Sequence, residues 1–244
     1  RNPIGFNISK RVKPKFTPWS QQVDLLLNGD YHGTYTLADH ISVHSDRIDI
    51  TEMNATDVEG ENLTGGYFFE ADNNYTGEKF HWRSAYGNTM SMHSPEDDVA
   101  QSVQFNYLKD YFGRFEERLF GTTYQDSARG YRRMLDLDSF LKYFLISEFN
   151  GNTDMICQVF LYKERGDNLI YSGPVWDHEL ALENDETVFP GNEREDWTYP
   201  VRCTGAWNKV VAQGLSDPNA MARLPEIWME VRDDSLITAN SMST

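Results

Sequence analysis

Between residues 136 and 177 the apolar repeat changes from about four residues to two, and no other feature of the sequence constrains the fold as much. Phe140, Leu141, Phe144, Leu145 and Phe149 recur at helical steps up to Asn150-Gly151, a pair that stops a helix. Val159-Phe160-Leu161-Tyr162 and Leu169-Ile170-Tyr171 then read as strands joined by the turn Glu164-Arg165-Gly166-Asp167,. This hairpin delivers the chain into Gly173-Pro174-Val175-Trp176-Asp177. A helix running straight into an antiparallel pair argues for an α+β fold rather than a βαβ winding.

The remaining segments agree with that class. Residues 21–37 alternate around Asn28-Gly29-Asp30 and predict a hairpin, because Asn and Gly tolerate the positive φ of tight turns,. Tyr35 and Leu37 are read as its core. Residues 47–50 predict a short strand, and Gly65-Gly66-Tyr67-Phe68-Phe69-Glu70 a longer one followed by a loop rich in Asn and Gly. Ser94-Pro95-Glu96-Asp97 has the form of a helix start, leading a stripe through Val99, Val103, Tyr107, Tyr111 and Phe115 toward Gly121,. A further helix opens at Asp136 or Asp138, and residues 207–215 and 220–231 predict two more.

With 22 basic against 38 acidic residues, a net charge of −16, the surface repels a phosphate backbone, which argues against nucleic acid as a partner. It favours cations and basic proteins. No apolar run is long enough to span a bilayer,. Cys157 and Cys203 are the only cysteines, too few for a disulfide scaffold. They are read as two free thiols, with a single bridge as the alternative.

Two acids stand just past element ends, where a scaffold holds side chains rigidly yet open to ligand. Asp154 follows the Phe-rich helix and Asp177 follows the hairpin. A hairpin that folds back would bring both into one cleft. One carboxylate to orient or deprotonate an acceptor hydroxyl, and one to hold magnesium on a nucleotide's phosphates, is what phosphoryl transfer requires. Glu179 is a second candidate metal ligand. His178, beside the cleft, is read as a structural hydrogen-bonding group, and Lys10, Lys13 and Lys15 as a solvated basic stretch. The competing reading of the acids is that they are solvated surface or helix caps.

Four ordered segments resemble the CotH kinase family: Asn28 to Leu37, Gly65 to Glu70, Asn152-Thr153-Asp154, and Gly173 to Asp177. The resemblance runs from about Arg1 to the helix near Trp228. It implies an atypical protein-kinase-like fold with an incomplete N-terminal lobe and a mostly helical C-terminal lobe. Residues 1–39 would be the N-lobe remnant, comprising a helix end at Arg1-Asn2 and the hairpin leading to a hinge, and residues 40–244 the C-lobe. It further implies a kinase using ATP and Mg2+ on a protein Ser/Thr acceptor, in a spore, cell-surface or secreted setting.

Carried over residue by residue, the resemblance makes Asp154 the catalytic acid, Asn152 its positioning partner, and Asp177 with Glu179 the metal ligands. The hinge is residues 36–41, where the nucleotide base would lie, so Leu37 and Asp39, together with Gln158, are the cofactor-binding candidates. Three positions depart from the family pattern: Asp39 stands where Glu is general, Glu179 where Asp is usual, and Gln158 where many members carry Asn. The strands that cover the phosphates in the family, with their Lys, are not found in residues 1–244. The alternatives are a weak or inactive kinase-fold binding module at a cell surface or in an extracellular assembly, and, ranked last, a cation-dependent hydrolase.

Overall fold

The computed structural model of the chain describes residues 1–72, 77, 79–154, 157–186, 197–200 and 206–233. Within them the fold is α+β, with five α-helices and two antiparallel sheets. Helix α1 (Asn2–Val12) carries Pro3 in its first turn, buries Phe6, Ile8 and Val12, and ends on Lys13 in the left-handed region,. The expected helix end at Arg1-Asn2 is thus a helix start: the apolar residues that anchor the helix all lie after it.

Strands β1 (Ser20–Leu27) and β2 (Asp30–Ala38) form a ribbon of their own, with Leu27 opposite Asp30 and positive φ at both Asn28 and Gly29. This is the tight turn that the sequence predicts. Tyr35 and Leu37, however, are 50% and 54% exposed, so neither is core. A two-stranded ribbon cannot bury its own faces, and the register is held instead by polar bonds across it, from Gln22 to Thr36 and from Thr34 to Asp24.

The second sheet contains β3 (Tyr67–Asp72), β4 (His81–Arg83), β5 (Thr89–Ser94), β6 (Gln158–Lys163) and β7 (Tyr171–Ser172) in the order β4-β5-β3-β6-β7. Central β3 enters through Gly65-Gly66 because no side chain fits there: a Cβ on Gly65 would lie 2.0 Å from the Glu164 carbonyl oxygen, and Gly66 has φ +98,. Strands β4 and β5 correct the expected loop. Their apolar residues are few, yet Met90 and Met92 are fully buried and alternate with polar neighbours. Pairing with β3 carries β5 as far as Ser94, opposite Phe68. The expected helix start at Ser94 therefore yields only one turn, with Val99 and Ala100 bonded to the Glu96 carbonyl. Helix α2 (Ser102–Phe120) begins instead at the Gln101/Gln104 capping box,.

The sheet has two different faces. Tyr67, Phe69, Val159 and Leu161 join the main core with Leu108, Phe112 and Phe115 of α2. The same core takes Phe140 and Phe144 of α3 (Leu137–Phe149) and residues of α4 (Trp207–Leu215) and α5 (Pro218–Asp233). Each aromatic ring buried in it stabilises the fold by roughly 2–3 kcal/mol. On the other face Phe68, Tyr162 and Tyr171 pack with Ile48 and Ile50. The strand expected at 47–50 is reduced there to a single bridge between Val43 and Ile48.

Candidate active site

The site is built where α3 ends. Asp136 caps the helix by accepting the Ser139 N–H at 2.8 Å, and Gly151, at φ 57, turns the chain away beyond Asn150,. Asn152, 2% exposed, then uses both ends of its amide. Its Oδ1 accepts the Asp154 N–H at 3.1 Å, while its Nδ2 donates to the Asp177 carbonyl at 3.0 Å. Two more bonds tie the same segments together: the Thr153 hydroxyl donates to Asp185 at 2.7 Å, and the Leu182 N–H to the Asn150 carbonyl at 2.8 Å. The β6–β7 hairpin therefore does fold back. It brings the segments carrying Asp154 and Asp177 together, both residues half-buried.

Asp177 has φ 49, a left-handed conformation that costs an L-residue about 1–2 kcal/mol,. Its Oδ1 accepts the Glu179 N–H at 3.2 Å. Glu179 is exposed, and it is this amide that contacts Asp177. Among the described residues no three His, Cys, Asp or Glu side chains cluster as a ready-made metal cage. Magnesium does not need one, since it binds through one or two carboxylates together with phosphate oxygens and water. The two half-buried carboxylates have the hard oxygen chemistry for it.

His178 is 1% exposed, and burial pushes its pKa down to about 4, which leaves the ring neutral,. Its Nδ1 lies 3.4 Å from the Asn152 amide nitrogen, its backbone N–H donates to Asn2 Oδ1 at 2.5 Å, and its Nε2 has no partner among the described residues. Its burial fits a structural group. Lys10, Lys13 and Lys15 are exposed, with Lys15 placed 3.5 Å over the Tyr171 ring. The free-thiol reading of the cysteines is overturned: Cys157 is disulfide-bonded. Cys203, the chain's other cysteine, lies outside the described residues.

A cavity of about 460 Å³ opens beside Trp176, within the range of small-ligand sites,. Its lining includes Phe68, Glu70, His93 and Phe160 from the sheet and His40 and Ile41 from the stretch after β2. Of the other hinge candidates, Leu37 stays in solvent, and Asp39 closes the ribbon by accepting the Trp19 N–H at 2.8 Å and donating its own to the Trp19 carbonyl. Gln158 opens β6 with an exposed side chain, and its carbonyl accepts the Tyr143 hydroxyl at 3.0 Å.

Sequence reasoning missed the pairing of Glu70 with His93, 2.8 Å apart at the cavity wall. The alternation of Phe68 and Glu70 was a usable signal for the first. No signal marked the second, because β5 was unseen. A search among curated proteins gives no match. The family model described as CotH kinase protein matches residues 1–244, which is the whole chain. With the four motif segments, the linked acids and an α+β fold compatible with a kinase, the chain belongs to the CotH kinase family.

Proposed function

We propose that the protein is an atypical kinase that transfers the γ-phosphate of ATP to a protein Ser/Thr hydroxyl with Mg2+. The observation that carries this reading is the double use of Asn152, whose one side chain bonds the Asp154 amide and the Asp177 carbonyl. A link of this kind ties together the backbones that carry Asp154 and Asp177, which supports a shared site for phosphoryl transfer, a reaction that depends on close positioning.

In this reading Asp154 orients the acceptor hydroxyl and takes its proton as the new O–P bond forms and the bond from the γ-phosphorus to the bridging oxygen breaks, releasing ADP. Asp177, with Glu179 as a reserve carboxylate, holds the cation. Magnesium supplies neutralisation of the phosphate charge when bound. The base occupies the cavity between His40-Ile41 and Phe160, which ends at Trp176, next to Asp177. Residues 1–39 then belong to the N-terminal lobe and residues 40–244 to the C-terminal lobe. The net charge of −16 favours a basic protein acceptor,. The disulfide at Cys157 supports an extracellular or cell-surface setting, because such bonds persist in oxidising compartments,.

Incubation with γ-labelled ATP, magnesium and basic Ser/Thr-containing proteins tests this. Transfer by the wild type, lost in Asp177→Ala and in Asp154→Asn, is the expected result. No nucleotide binding at millimolar magnesium would leave the binding-module reading in its place.

A further inference from the structure

Asp177 sits in a left-handed conformation, and three residues in the first turns of α1 contact the residues on either side of it. Asn2 Oδ1 accepts the N–H of His178. The Phe6 ring lies 5.7 Å from that of Trp176 and 5.9 Å, edge-on, from that of His178. Gly5 leaves the notch that the His178 ring fills: a Cβ built there would stand 2.3 Å from both Cγ and Cδ2. The atoms that this Cβ would meet belong to an imidazole ring that is itself 1% exposed and not to a flexible side-chain tip, so the ring has little room to give way. Residues 176, 177 and 178 are thus gripped from one side by α1 and from the other by Asn152 through the Asp177 carbonyl.

We propose that Asn2, Gly5 and His178 are positioning residues: through a glycine-shaped notch, helix α1 sets where the Asp177 carboxylate points. The helix precedes the ribbon, and the ribbon leads into His40-Ile41 at the cavity. A displacement of α1 therefore reaches the proposed metal loop directly. The inference rests on the kinase reading for its consequence, weaker cation binding, but not for the contact itself.

The test uses the full chain and two readouts. Hydrogen–deuterium exchange at the His178 amide reports the latch without any metal. Calorimetric titration of Mg2+ in the presence of a non-hydrolysable ATP analogue reports its effect on the cation, with analogue binding in EDTA as the reference. Gly5→Ala and Asn2→Ala are each expected to speed exchange at His178 at least tenfold and to weaken Mg2+ about tenfold, with analogue binding in EDTA unchanged. Shrinking the ring in the double variant Gly5→Ala/His178→Ser is expected to recover most of the Mg2+ affinity, which general destabilisation would not allow. Asn2→Ala adds no bulk and carries the test if Gly5→Ala fails to fold. Wild-type exchange and Mg2+ affinity retained in Asn2→Ala would overturn the proposal. If exchange responds while the wild type binds no magnesium nucleotide, the latch stands and the kinase reading falls.

Discussion

Asn152 donates its side-chain amide to the Asp177 carbonyl at 3.0 Å, across the whole β6–β7 hairpin, from a position that is almost completely buried. Replacing the donor with an acceptor of the same size turns this bond into a repulsion. Asn152→Asp should lower stability by about 1–3 kcal/mol, as an unmade buried bond does. It should also cut phosphate transfer at least tenfold, with a higher requirement for magnesium. Thermal unfolding and rates at several magnesium concentrations check both.

The cavity gives a separate handle on the nucleotide. Ile41 is a lining residue, so Ile41→Trp fills space without touching Asp154 or Asp177. The expected outcome is a KM for ATP raised roughly tenfold with kcat within about a factor of two, because binding common to ground and transition state is what the change removes. A fall in kcat at unchanged KM would place the base elsewhere.

Stability should rise with pH above neutrality and then fall. Lys163, 1% exposed, donates to the carbonyls of Thr64, Glu164 and Asp167, and burial pushes its pKa down to about 8 from 10.5. The unfolded chain then holds the proton more tightly than the folded one, so stability is gained as pH climbs from about 8 toward 10.5, by up to about 3 kcal/mol,. Above pH 10 buried tyrosines such as Tyr67 and Tyr143, their pKa values raised by burial, act in the opposite sense, because unfolding frees them to ionise. A melting temperature that rises between pH 7.5 and 9.5, and a flat profile in Lys163→Met, check the assignment.

Reduction should loosen the site. The Cys157 N–H bonds the Asp154 carbonyl at 2.8 Å, so the disulfide-bonded residue belongs to the turn that carries the proposed catalytic acid. Cys157→Ser is expected to cost about 2–5 kcal/mol, the usual range for removing a native disulfide. The melting temperature should drop likewise when a reductant is added to wild type and not when it is added to the variant.

The elements legible in advance were those whose periodicity is strong. Helices α3, α4 and α5 and the β1–β2 and β6–β7 hairpins lie close to where spacing puts them. Strands β4 and β5 were illegible because a three-residue strand and one whose buried side chains are methionines present hardly any alternation. Tyr35 and Leu37 misled for the opposite reason, since their clean alternation says which face they share but not that anything covers it. Asn152, Asp154 and Asp177 were named from motif and position. Glu70 with His93, and Gly5 under His178, are pairs between distant segments.

By itself the sequence determined most of the elements, the tight turn at Asn28-Gly29 and the acidic surface, because these depend on local sterics, side-chain period and charge, which neighbours in the chain settle between themselves. Only the tertiary structure decided that one buried amide joins the two acid-bearing segments, that a helix at residues 2–12 grips the loop at 176–178, and that the ribbon stands in solvent. Those outcomes depend on which surfaces meet after collapse, and contact between segments far apart in the chain leaves no mark on the spacing within either.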